Sequence, residues 1–327
     1  MIFEFTTSLH FDFITDFSKT YEIPLRDNYI SIPPSMGEGY IRKIEFGNDF
    51  RLLTHCYKLK EDLILKRNAA NEPNDLLSIF FYNNEQPLHL NYNEVQPVKF
   101  SRKSESAIQI TTNDLSSVIR FPANTQTHYV VVGITASKLK SLLDVEKSNP
   151  VLQNILTPGA SFLYFESMIP EILQILKNII AINLNDELSN FSVRIKVLEL
   201  LYHLLHKLSK RENTSQKTVN NADAEKLLNA RNIILADISE PPSISFLATQ
   251  VGMSETKLKQ LFKQTFGDSI YNYFQKIRME EAAFLLKQSA YSVSEVGFQL
   301  GFSNLSHFSR LFQRHYGVTP KKYSVTG

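Results

Sequence analysis

Residues 244–252 (ISFLATQVG) match residues 293–301 (VSEVGFQLG) at an offset of 49, and 258–267 (LKQLFKQTFG) match 308–317 (FSRLFQRHYG) at an offset of 50. One residue inserted in the intervening turn accounts for the difference. Each copy predicts a short helix, a glycine turn, and a longer helix ending at Gly267 or Gly317. A helix C-terminus favours a residue that tolerates positive φ. Gly252 and Gly301 fall in the turns, and Ala248 and Gly297 are small where one helix must pass close to the next. The pattern is a helix-turn-helix written twice. Two copies are too few for a solenoid.

The longer helix of each copy is two-faced. In the first, Leu258, Leu261, Phe262 and Phe266 share the apolar side, leaving Thr256, Lys257, Lys259, Gln260, Lys263 and Gln264 outside. In the second, Leu305, Phe308, Leu311, Phe312 and Tyr316 supply most of the apolar side, with Ser306, His307, Ser309, Arg310, Gln313 and Arg314 outside. Neither outward face carries an acid after Glu255. Hydroxyl, amide and guanidinium groups suit base edges, and Lys and Arg neutralise phosphates. Any amphipathic helix has a polar face, but two acid-free faces, each after a helix-glycine turn, favour DNA.

Residues 269–287 join the copies without Gly or Pro and read as one helix, about 28 Å long at 1.5 Å per residue. Equivalent major-groove faces recur about every 34 Å, so one chain could present both longer helices to successive groove turns. The charge is divided to match. Residues 243–327 hold 10 Lys/Arg against 5 Asp/Glu, whereas the remaining 242 residues hold 25 against 28. A basic end on an acidic body fits a polyanionic partner for that end.

Ahead of this region the chain of 327 residues is long enough for two or three domains. The first 135 or so residues are β-rich. Segments 40–46, 50–58, 76–82, 106–112 and 128–135 are short, rich in β-branched or aromatic residues, and divided by turn formers such as Pro33-Pro34, Gly47-Asn48 and Asn113-Asp114. They predict a sandwich or a small barrel. From about 136 the pattern turns helical. One helix is expected near 168–183, and another over 187–208 with Phe191, Ile195, Leu198, Leu201, Leu205 and Leu208 on one stripe. That stripe would pack within the chain or against a second copy. Residues 209–221 (SKRENTSQKTVNN) lack an apolar period and read as a linker.

Several chemistries find no support. The single cysteine, Cys56, excludes an intramolecular disulfide and zinc sites built from cysteine pairs. His203 and His206 lie three apart without the glutamate of an HExxH helix, and His55, His89 and His128 fall in separate predicted strands or their ends. No GxSxG, Walker loop or dinucleotide-binding glycine motif occurs. No metal, cofactor or catalytic residue is therefore assigned. The start Met1-Ile2-Phe3-Glu4-Phe5 lacks a basic secretory signal, and no apolar run is long enough to span a bilayer. A cytoplasmic protein without a membrane partner is expected. Aromatic residues Phe46, Phe50, Tyr57, Phe80, Phe81, Tyr82, Tyr92 and Phe100 either line an effector pocket or, more commonly for such residues, form core.

The C-terminal region resembles the DNA-binding domain of the AraC/XylS transcriptional regulators over residues 222–327. The resemblance is most specific at Ser292-Val293-Ser294-Glu295-Val296-Gly297, Gly301-Phe302-Ser303-Asn304, His307-Phe308-Ser309-Arg310-Leu311-Phe312, Gly317-Val318-Thr319-Pro320 and Tyr323. Arg278, Ala282, Leu285 and Leu286 fit that family's connecting helix. It implies DNA reading by Thr256, Lys257, Lys259 and Gln260 on the first longer helix, and by Leu305, Ser306, Ser309 and Arg310 on the second. Lys263 and Arg314 join them as cations on the same faces. Leu305 departs from a usual polar reader, so its contact would be a thymine methyl or packing alone.

It also implies an effector or dimerisation domain ahead of the DNA-binding part, cupin-like in many members. The expected fold class is α+β: a β-rich domain (cupin-like barrel or sandwich) over 1–160, a helical packing or dimerisation region over 161–210, a linker over 211–221, and an all-α double helix-turn-helix domain over 222–327. The expected partners are double-stranded DNA, an unknown small-molecule effector, a second copy of the chain and the transcription machinery. Two rival functions stay open at this point, a cupin-type metalloenzyme fused to a DNA-binding domain and a helical protein-interaction module.

Overall fold

The computed structural model describes residues 1–7, 11–70, 75–84, 88–91, 98–100, 107–143, 149–182, 186–212, 216–288 and 291–325. The chain divides into two compact units, Met1–Glu225 and Lys226–Gly327.

The first unit opens with β1 (Ile2–Thr6), α1 (Phe13–Thr20), β2 (Leu25–Arg26) and β3 (Tyr29–Ser31). Longer strands follow: β4 (Gly37–Glu45), β5 (Phe50–Leu59), β6 (Leu63–Asn68) and β7 (Leu76–Tyr82). Next come β8 (Leu88–Asn91), β9 (Val98–Phe100), β10 (Ile108–Thr112), β11 (Ser117–Phe121) and β12 (Gln126–Thr135). Then α2 (Ala136–Leu143), α3 (Pro150–Ile155), β13 (Leu163–Glu166), α4 (Pro170–Ala181) and α5 (Ser189–Ser209) complete it, with α6 (Asn221–Ala236) containing the division between units.

The strands form two sheets, ordered β1-β6-β11-β8-β9 and β13-β10-β7-β12-β5-β4-β3-β2. Of the two arrangements open in the sequence, the described residues form the sandwich. Every pairing is antiparallel except β1 with β6. The alternation along β12 shows how the larger sheet is used. Val130, Val132 and Ile134 join a core with the helices, while Tyr129 and Val131 line a cavity between the sheets. The helical side of that core draws Ile172, Ile175, Leu176 and Ile179 from α4. Each of these buried aliphatic side chains stabilises the unit by about 1.5–3 kcal/mol.

Two expectations need correction here. The region after 136 is not purely helical, because β13 returns to the larger sheet and pairs antiparallel with β10. Its four residues, LYFE, are all buried and too few to show a period. The stripe on α5 is also different. Val193, Val197, Leu200, Leu201, Leu204, Leu205 and Leu208 are buried, while Phe191 is 61% and Ile195 is 47% exposed. Apolar residues lie around most of this helix, so periodicity alone offers two stripes, and packing with α4 and α3 selects the one that runs its full length.

The stretch read as a linker is tied down where it is described. Val219 is buried, its N–H donates to the Ser161 carbonyl (3.1 Å), and Ser161 Oγ donates to the Val219 carbonyl (2.6 Å). Asn221 Oδ1 accepts from the Ser116 N–H at 2.6 Å. Among the described residues no helix is long and apolar enough to cross a membrane.

The burial pattern of α5 gives a contrast that urea unfolding can check. Leu204→Ala should lose about 2–5 kcal/mol of stability, whereas Phe191→Ala should stay within about 0.5 kcal/mol.

Candidate nucleic-acid interface

The second unit holds most of α6 and then α7 (Ile244–Val251), α8 (Glu255–Phe266), α9 (Ile270–Lys287), α10 (Val293–Gln299), α11 (Leu305–Tyr316) and α12 (Pro320–Val325). The repeat is visible in the caps. Ser243, Ser254, Ser292 and Asn304 sit at the N-caps of α7, α8, α10 and α11, and each side chain accepts a backbone N–H from the first turn. Ser292 and Glu295 complete a capping box. The carboxyl of Glu295 is held below its usual range by the Ser292 backbone N–H and hydroxyl. Helices α8 and α11 end at Gly267 (φ 82°) and Gly317 (φ 74°), both left-handed.

The second copy is the tighter of the two. A Cβ on Gly297 would come within 2.6 Å of Leu305 Cδ2, so α10 passes close to α11 and the Leu305 side chain would have to shift to admit a larger residue. Gly301 has φ 76°, and a Cβ there would overlap the Ser239 carbonyl oxygen. The chain leading into the first helix-turn-helix therefore lies against the turn of the second.

Helix α9 carries both copies. Near its start, Tyr273 packs edge-on to Phe262 of α8 (centroids 5.4 Å apart), and its hydroxyl accepts from Arg231 Nε of α6 at 2.7 Å. Further along, Met279, Ala282, Ala283, Leu285 and Leu286 share a core with Val296, Leu300, Phe302, Phe308 and Phe312. Between these regions Arg278 is buried, donating from Nε (3.1 Å) and Nη2 to the Leu300 carbonyl at the end of α10. Its guanidinium carbon lies 3.8 Å from the Phe302 ring centroid and 5.1 Å from that of Phe274. Burial lowers the Arg278 pKa from its ordinary value.

None of the ten residues expected to meet DNA is buried. Thr256, Lys257 and Lys259 are exposed on α8, with Gln260 and Lys263 partly covered. On α11, Ser306, Arg310 and Arg314 are exposed, and Leu305 and Ser309 partly covered. Lys259 Nζ lies 3.3 Å from Glu255 Oε2, an exposed pair one turn apart that contributes little to stability. Gln264, placed outside by periodicity, is 4% exposed. It borders the apolar stripe of a helix that buries Leu261, Thr265 and Phe266 around it, so helix-helix packing covers more than the stripe itself. Lys321 and Lys322 on α12 are also exposed, two cations that the repeat of the helix-turn-helix does not mark. Among the described residues no three His, Cys, Asp or Glu side chains gather to hold a metal ion.

Residues 247–325 match a family model described as a helix-turn-helix domain. The second unit is an AraC-type double helix-turn-helix domain. Among curated proteins, the chain is 31% identical over 93 residues to the HTH-type transcriptional activator CfaD of Escherichia coli, covering 28% of this chain and 35% of that one. It is 27% identical over 140 residues to the DNA-binding dual transcriptional regulator Rns of Escherichia coli, covering 42% of this chain and 52% of that one. The matched region thus spans between about a third and a half of these relatives. A solved AraC-type transcriptional regulator from Chromobacterium violaceum is 34% identical, covering 32% of this chain and 95% of that one, with a TM-score of 0.30.

Two of the left-handed glycines, Gly301 and Gly317, make the packing of the AraC-type domain testable. Gly301→Ala should destabilise it by more than the 1–3 kcal/mol or so of an unfavourable left-handed residue, because backbone must also move. Gly317→Ala, with nothing within 4 Å of its Cβ, should cost only the conformational part. Amide hydrogen exchange along α11 would rank the two.

Proposed function

We propose that this protein is a sequence-specific transcription regulator that acts by binding DNA rather than by catalysis, with α8 and α11 entering successive major-groove turns. The observation that carries this reading is the pair of exposed, hydroxyl-, amide- and cation-bearing faces on the second helix of each helix-turn-helix. Helix α9, of 18 residues and about 27 Å, suits a spacing near one helical turn of B-DNA. Thr256, Lys257, Lys259, Gln260, Ser306, Ser309 and Arg310 then read bases or their immediate phosphates, and Lys263 and Arg314 neutralise the backbone. Leu305 is partly covered and lies against Gly297, which favours packing over a thymine contact.

The first unit would hold the controlling effector. The cavity between its sheets, about 70 Å³ in volume, is lined by Phe5, Phe11 and Phe13 from the N-terminal arm and by Phe80, Tyr129 and Val131 from the larger sheet. Phe50, Tyr57, Phe81 and Tyr82 are core, while Tyr92 and the side chain of Phe100 lie outside the described residues. At the cavity wall His55 is fully buried, its Nδ1 has no partner, and burial draws its pKa down to about 3, so the ring is neutral. The arm is pinned by Lys43, which lies 2.8 Å from Asp12 at the N-cap of α1. Burial works to raise the Asp12 carboxyl, and hydrogen bonds from Lys43 and Thr15 outweigh it, holding the carboxyl below its ordinary range. Ligand sites commonly occupy about 300–1,000 Å³, so a larger effector must displace the arm. Such a ligand controls DNA binding only if it binds one arrangement better than another. The exposed Leu188, Phe191, Ile195 and Tyr202 of the α5 region offer a face for a second copy.

The decisive experiment is selection of bound duplexes from a random library by the full chain, with and without a metabolite extract. A two-part motif spaced by about one helical turn supports the reading, and enrichment of no sequence overturns it. Arg310→Ala should then cost about 1–3 kcal/mol on the selected site and relax preference at one base pair. Uniform weakening on every sequence would reassign it to phosphate. Lys263→Ala should weaken specific and random DNA alike and reduce the salt slope by about one. An unchanged slope removes Lys263 from the interface.

A further inference from the structure

A second recess of the first unit lies on the face of the larger sheet that packs against α4, apart from the cavity between the sheets. It has a volume of about 640 Å³, with Asn83, Asn84, His128, Lys58, Lys177 and Glu38 among its walls. Asn84 is 1% exposed, and its Oδ1 accepts the His128 backbone N–H at 2.6 Å. That bond fixes which end of the amide is which. Its Nδ2 is therefore a donor, buried and without a partner. His128 Nδ1 lies 3.2 Å from Asn83 Nδ2, an amide nitrogen that can only donate. The imidazole proton then sits on Nε2, which is also buried and without a partner.

Two N–H groups of residues that line one recess are thus left with no acceptor. Each such group costs about 1–3 kcal/mol if nothing meets it, and an orphaned buried donor in a native fold calls for a water, an ion or a ligand. Lys58 of β5 and Lys177 of α4 stand exposed at the rim, and neither has an ion pair among the described residues. Donors at the bottom and ammonium groups at the rim are the complement of an oxyanion. Glu38, cross-strand from Lys58, is the one carboxylate of the set and would accept from a hydroxyl or ammonium elsewhere on the same molecule.

We propose that this recess binds a small organic oxyanion, a carboxylate or phosphate ester, through Asn84 Nδ2 and His128 Nε2, with Lys58 and Lys177 neutralising its charge. The site does not depend on the DNA reading and stands or falls separately from it.

The test is calorimetric titration of the full chain with inorganic phosphate and, separately, with malonate, at constant ionic strength set by chloride. One anion per chain should bind saturably in the millimolar range, and the His128 ring protons should shift with the same curve. The better of the two probes identifies the source as phosphate or carboxylate. Lys177→Glu and Lys58→Glu change exposed residues and should each weaken binding by about tenfold or more. Asn84→Asp, which puts a carboxylate in place of the donor, should abolish it. No saturable response to either anion, or unchanged affinity in both lysine variants, overturns the proposal and leaves the recess to ordered water.

Discussion

The hold of Arg278 on the end of α10 is the constraint on which the DNA-binding half depends. A guanidinium is costly to bury, and here its charge is met by a carbonyl oxygen and two aromatic faces. The Leu300 carbonyl belongs to the last turn of α10, where orphaned acceptors collect negative partial charge. One side chain of α9 therefore satisfies the end of α10 and fixes it against the connecting helix. Gly301 follows at once and can only be glycine, since the chain at Ser239 fills the space of a side chain. Position and direction of α11 follow from these two contacts, together with the close pass at Gly297.

The same helix holds α8 through Tyr273, so a single rigid rod sets both copies. This explains why the copies need not be identical. The first leaves room for Ala248 and is braced by Arg231 from α6, while the second is closed by Gly297 and Gly301. What the copies share is the outward face, which owes nothing to packing. Nothing in either apolar core explains why α8 and α11 bear Lys, Arg, Ser, Thr and Gln at the positions left outside. The proposed contact with DNA would.

The first unit works by a different economy of contacts. Its larger sheet packs one face against helices and turns the other toward a cavity, and several of its buried charges are met by partners. Glu166 is met by both Lys207 and Arg211 at 2.8 Å, and Lys43 by Asp12 and Glu45. Other buried polar atoms have no partner, among them Arg42 Nε and Nη2, His55 Nδ1 in the cavity wall, and Asn84 Nδ2 and His128 Nε2 at the outer recess. Of these, His55, Asn84 and His128 also line space that a small molecule could fill.

The sequence alone determined the double helix-turn-helix, because its signals are local: cap residues, glycines at fixed offsets and a 3.6-residue period all lie within a few turns of one another. It also determined the polar faces of α8 and α11, since a helix fixes which residues share a side. Five strands were legible from their β-branched and aromatic runs. Their partners were not, because β12 joins β5 and β10 joins β13 across 50 or more residues, and pairing leaves no mark at that distance. Only the tertiary structure chose between the two apolar stripes of α5, buried Gln264, and drew Asn83, Asn84 and His128 into one wall. Those outcomes depend on which surface another element covers, and that is a property of the assembled fold rather than of any segment.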